Sequence, residues 1–62
     1  MDIWVIYRQC VNSESGNIKW IKPIEFCKSN DEARKYARLF DLQTPIDLKD
    51  KISHHSYSTY LD

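Results

Sequence analysis

Two stretches of β-branched and aromatic residues open the chain: residues 3–11, IWVIYRQCV, and residues 18–27, IKWIKPIEFC, separated by the polar segment NSESGN. That pattern predicts an antiparallel β-hairpin. With the turn centred on Ser15-Gly16 or Gly16-Asn17, odd positions of the first strand face even positions of the second. One sheet face then carries Ile3, Val5, Tyr7 and Val11 with Ile18, Trp20, Ile24 and Phe26, and it is the expected core face. The other carries Trp4, Ile6, Arg8 and Cys10 with Lys19, Ile21, Pro23 and Glu25, half of it apolar. Pro23 has no N–H for a ladder bond, so the second strand is expected at an edge or bulged there. The first strand is then the inner one, with its other edge open to pairing.

Polar spacing changes after Cys27. Ser29-Asn30-Asp31-Glu32 has the form of a capping box, with Ser29 as N-cap and Glu32 at the third helical position. Asp31 and Glu32 also complement the positive helix terminus. From residue 30 to about 42 the positions Ala33, Tyr36, Ala37 and Phe40 form an i, i+3, i+4, i+7 stripe that packs on the expected core face. Pro45 disfavours helical backbone at Thr44 and ends the helix. Thr44 is expected to cap a second short helix at about 45–52, with Pro45 at its first position and Asp47 at its third. From Ser53 onward, SHHSYSTYLD holds poor helix formers with Tyr57, Thr59 and Tyr60, which favours an extended segment and allows a third strand. The fold class expected is α+β: an N-terminal antiparallel hairpin at 2–27 packed on one helix at 30–42, then a C-terminal segment at 44–62.

Composition narrows the function classes. A chain of 62 residues with 42% hydrophobic residues, one Gly and two Pro has the make-up of one small folded domain near the lower size limit for a self-sufficient core. Nine Lys plus Arg balance nine Asp plus Glu, which argues against a general polyanion binder and against an acidic mimic of DNA. The start, Met1-Asp2-Ile3-Trp4, has neither the basic residues nor the apolar run of a secretory signal, and no stretch approaches a membrane span. A cytoplasmic protein, the complete product of a small gene, is expected.

Candidate chemistry is sparse. In the hairpin register Cys27 lies opposite residue 4 or 6, about 13 Å from Cys10 at 3.3 Å per residue, too far for a disulfide or a shared zinc ion. His54 and His55 are adjacent, so on a strand they point to opposite faces and chelate poorly. Ser53 or Ser56 with a histidine and Asp47 offers the residue types of a nucleophilic relay, but nothing specifies an oxyanion hole. No catalytic residue, cofactor site or metal site is assigned, and the protein is read as a non-enzyme.

Two binding readings remain. Arg8, Lys19, Lys22 and Lys28 lie near Trp4 and Trp20 on the hairpin, and Arg34, Lys35 and Arg38 line the helix, so nucleic-acid binding through Arg8, Lys19, Lys22, Arg34 and Arg38 is the alternative. The leading expectation comes from the second sheet face. A helix of about 21 Å covers only one side of the hairpin, leaving Trp4, Ile6 and Ile21 without a cover. A Trp buries about 150–250 Å², so its exposure forgoes roughly 4–6 kcal/mol at most. The cover is expected from the tail (Leu48, Ile52, Tyr57, Tyr60, Leu61), from a second copy in a homodimer, or from another protein. The expected function is therefore a small cytoplasmic modulator or inhibitor, of phage or mobile-element origin, acting on a host factor. Its partner-binding residues are expected to be Trp4, Ile6, Arg8, Ile21, Tyr57 and Tyr60. Strand addition at the open edge of the first strand is a second mode.

Overall fold

A computed structural model describes residues 1–60. Strands β1 (Asp2–Val11) and β2 (Ile18–Cys27) form the hairpin, followed by helix α1 (Asn30–Gln43), a 3-10 turn at Ile46–Leu48 and strand β3 (Ile52–Tyr60). All pairing is antiparallel, in the order β2-β1-β3. The α+β class, the inner position of β1 and the edge position of β2 agree with the sequence pattern. Leu61 lies outside the described residues.

The hairpin turn is wider than a two-residue loop. Asn12 N–H donates to the Asn17 carbonyl at 2.8 Å, and Gly16 N–H to the Asn12 carbonyl at 2.7 Å. The Asn12 side-chain oxygen accepts from Glu14 N–H at 2.9 Å, the local bond that makes Asn a turn former. Gly16 has φ of 76°, a left-handed value that glycine adopts without the Cβ clash.

Two bulges in β2 alter the expected register. Trp4 pairs with Cys27 and Ile6 with Glu25, but Tyr7 pairs with Pro23, so Ile24 is extra; Lys19 is extra in the same way between Trp20 and Ile18. An added residue reverses the faces of everything beyond it. Trp20 therefore stands opposite Cys10, on the face of Trp4 and Ile6, whereas Pro23 and Ile21 stand opposite Tyr7 and Gln9 on the other.

Helix α1 begins as its sequence dictates: Glu32 N–H donates to the Ser29 hydroxyl at 3.2 Å. It packs through Ala33 and Ala37, both buried, against Ile6 and Cys27, with Trp4, Ile24 and Phe40 around them. Tyr36 is exposed although it belongs to the stripe. The helix thus covers the Trp4/Ile6 face, and the expected core face of Ile3, Val5 and Tyr7 is the bare one. Chain handedness accounts for the reversal. Strands β2 and β3 are parallel to each other on either side of β1, so α1 is a crossover, and crossovers are right-handed in nearly every sheet. That leaves the helix one face whatever the apolar count of each.

The second helix expected at 45–52 is reduced to Ile46–Leu48. Thr44 does not cap it; its hydroxyl donates back to the Phe40 carbonyl at 2.9 Å. The chain instead turns through Lys51, whose N–H donates to the Leu48 carbonyl at 3.0 Å, and Ile52 enters the sheet opposite Cys10. A ladder that pairs nine residues of β3 with β1 outweighs one more helical turn.

Candidate functional site

The bare outer face is built by the odd positions of β1. Val5 sits between Phe26 and Tyr57, Tyr7 between Pro23 and His55, and Gln9 between Ile21 and Ser53. Val5 is buried by this lateral packing, while Phe26 is 64% exposed, Ile21 53% and Tyr57 47%. Tyr7 lies 5.5 Å from the His55 ring and 5.7 Å from Tyr57, centroid to centroid. Met1 and Ile3 line a shallow apolar hollow with Phe26 at one end. No Asp, Glu, Lys or Arg occupies an outer-face position within the strand pairing; Lys28 and Lys51 stand just beyond the paired ends. In a chain with 18 such residues, leaving the paired positions of this face without formal charge is unusual, since bare sheet faces normally carry charged and polar side chains; its polar members, Gln9, Ser53, His55 and Thr59, are all uncharged or weakly basic.

The inner face holds a polar node that sequence reasoning missed. Arg8 Nε donates to His54 Nε2 at 3.0 Å. Arginine has no acceptor, so Nε2 accepts and the ring proton sits on Nδ1, which donates to Asp41 Oδ1 at 2.8 Å. The same carboxylate oxygen accepts the His54 backbone N–H at 2.9 Å, and Phe40 stacks on the ring at 5.6 Å. His54 is buried, and this chain of bonds satisfies it while holding the half-buried Arg8 in a hollow beside the C-terminal end of α1. The opposition of Arg8 and His54 in adjacent strands could not be anticipated without the β1–β3 register.

The six expected partner-binding residues are not brought together. Ile6 is 0% exposed, the centre of the core, so it has no surface to offer. Trp4 packs against the core cluster beneath α1, and Arg8 is held by His54, so the premise that their face lacks a cover is corrected. Ile21 and Tyr57 do lie on the bare face. Tyr60 is exposed opposite Asp2, at an even position on the helix side. Strand addition to the free edge of β1 is also corrected, because β3 occupies that edge.

The other candidates are dispersed as well. Lys19 and Lys22 are on β2, at one edge of the sheet, whereas Arg34 and Arg38 line a hollow with Asp41, His54 and Ser56 beside β3, at the other, so the basic residues are divided between the two edges. Ser53 Oγ and His55 Nε2 are 2.9 Å apart, but the carboxylate partner, Asp41 rather than Asp47, lies on His54 across the sheet. Cys10 and Cys27 are free thiols. Burial raises the Cys27 thiol above its ordinary range, and the nearby Glu32 and Glu25 carboxylates add to the shift. Among the described residues no three His, Cys, Asp or Glu side chains gather as a metal-ligand set, and no helix is long and apolar enough to cross a membrane. Comparison of the chain with protein-family models, curated proteins and solved structures gives no match.

Proposed function

We propose that the protein acts by binding another protein through the uncharged outer face, as a small modulator or inhibitor of that partner. One observation carries this: the face contains no charged residue within the strand pairing, yet it leaves Phe26, Ile21 and Tyr57 about half or more exposed. Aromatic and aliphatic side chains with few charges are the composition of interface centres. The fitting partner presents an apolar surface of similar width, with acidic residues at its rim to meet Lys28 and Lys51. Two free thiols support a cytoplasmic setting, and a host protein targeted by a phage or mobile-element product suits a binder of this size.

The test is charge insertion. Ile21→Lys and Phe26→Lys together should abolish co-purification of a stoichiometric partner from the native cells while the thermal transition stays near that of wild type. Arg34→Ala with Arg38→Ala should leave it in place. Retention in the first variant and loss in the second would move the site to the helix and the alternative nucleic-acid reading.

A further inference from the structure

The two edges of the sheet are protected unequally. Val11 N–H donates to the Lys51 carbonyl at 2.9 Å, whereas His54 N–H turns away from β1 to the Asp41 carboxylate at 2.9 Å. Backbone groups alternate along a strand, so the odd residues of β3 bond β1 and the even ones face the open edge. By the same alternation the outward positions of β2 include Phe26 and Pro23. Pro23 has no N–H, Phe26 N–H is taken by the Glu25 carboxylate at 3.1 Å, and both register shifts fall on this strand. Those are the devices by which natural sheets blunt an edge.

Strand β3 has one such device, Asp41 over His54. Beyond it the run Ser56-Tyr57-Ser58-Thr59-Tyr60 has no charge, proline or bulge and keeps an unbroken register with β1. We infer that this edge pairs, antiparallel and about a two-fold axis, with the same edge of a second copy, giving a continuous six-stranded sheet.

A second copy fits for reasons that lie in the strand itself. With the axis at Tyr57, Ser56 of each protomer meets Ser58 of its partner, and both residues present outward N–H and C=O groups, as a hydrogen-bonded antiparallel pair requires. On the outer face Tyr57 meets its own counterpart, extending the Tyr7–Tyr57 contact of 5.7 Å into a row across the axis. On the helix side the paired residues are serines, small enough to let the edges close. No like charges are brought opposite one another by the strands themselves. A patch that is self-complementary under two-fold rotation is what an isologous dimer needs. The paired segment is short against a standard interface, so self-association should be weak. The outer face is doubled in width by this pairing, but the pairing does not depend on what that face binds.

Sedimentation and light scattering from micromolar to millimolar protein, with amide hydrogen exchange at each end of the range, test it. The expected result is a monomer–dimer equilibrium in which the Ser56 and Ser58 amides gain protection as the dimer forms. Ser58→Pro removes only an outward N–H, as Pro23 does on β2, and should weaken dimerisation by about tenfold or more with the circular dichroism unchanged. A monomer at millimolar concentration overturns the proposal. So does a dimer whose Ser56 and Ser58 amides exchange as fast as in the monomer, a reading on wild type that holds even where the proline variant does not fold. Either failure leaves the outer-face reading standing, since Ile21 and Phe26 lie on the opposite edge strand.

Discussion

The two faces of the sheet solve opposite problems. The inner face carries charged side chains, among them Arg8, and a buried histidine, and α1 covers its centre around Ile6; the outer face carries no formal charge within the strand pairing and no helix covers it. Burying His54 costs little because its Nε2 accepts the Nε–H of the half-buried Arg8 and its Nδ1–H and backbone N–H are taken by Asp41, so a polar residue at a core position comes with its partners. The outer face does the reverse, keeping Phe26, Ile21 and Tyr57 where water reaches them, with no formal charge among the polar side chains beside them. Hydrophobic count alone does not decide which face is covered. Connectivity and chain handedness decide that, and the face left over shows what else was required of the sequence.

Ile6 and Phe26 differ most between the two faces, at 0% and 64% exposed. Ile6→Ala removes a fully buried side chain and should cost about 2–5 kcal/mol, against about 1 kcal/mol or less for Phe26→Ala or Ile21→Ala, all by urea denaturation. Equal losses would mean that the outer face is covered in solution. His54→Ala leaves the Arg8 guanidinium without its acceptor and should cost about 1–3 kcal/mol, while His55→Ala, on the outer face, should stay within about 0.5 kcal/mol. Ser29→Ala removes the helix cap on the inner side only and should cost about 1 kcal/mol.

The smallest effect concerns the thiols. Burial, with Glu32 and Glu25 adding to it, raises the Cys27 thiol, so in the folded protein it should react with a disulfide reagent more slowly than the half-buried Cys10. The folded state keeps the Cys27 proton where the unfolded chain has lost it. The associated stability is therefore fully present below the ordinary thiol range and is lost as pH rises through the raised value. Stability that increases across that alkaline range in wild type but not in Cys27→Ala would contradict this.

Much of this architecture is legible in local sequence. The hairpin, the Ser29 cap, the end of α1 before Pro45 and the edge position of β2 follow from turn chemistry, capping and proline, all effects within a few residues. The face assignment fails for non-local reasons. Pro23 signals a bulge, but the second bulge, at Lys19, has no such mark, and the two together carry Trp20 and Ile21 to the faces opposite those expected. Arg8 reads as a solvent-facing residue until β3 places His54 beside it. The same non-local effect divides the expected partner-binding residues: Trp4, Ile6 and Arg8 lie on the face that the crossover packs against, while Ile21 and Tyr57 lie on the face that it leaves open. Phe26 is not among them because the hydrophobic pattern places its face in the core.

The most direct measurement is site-specific photocross-linking in the native cells, with a benzoyl-phenylalanine in place of Phe26 or of Lys35 on the exposed helix. Position 26 should give one discrete adduct with a different protein, and position 35 none. An adduct from position 35 alone, or none from position 26, would contradict the claim that the uncharged outer face is where this protein meets its partner.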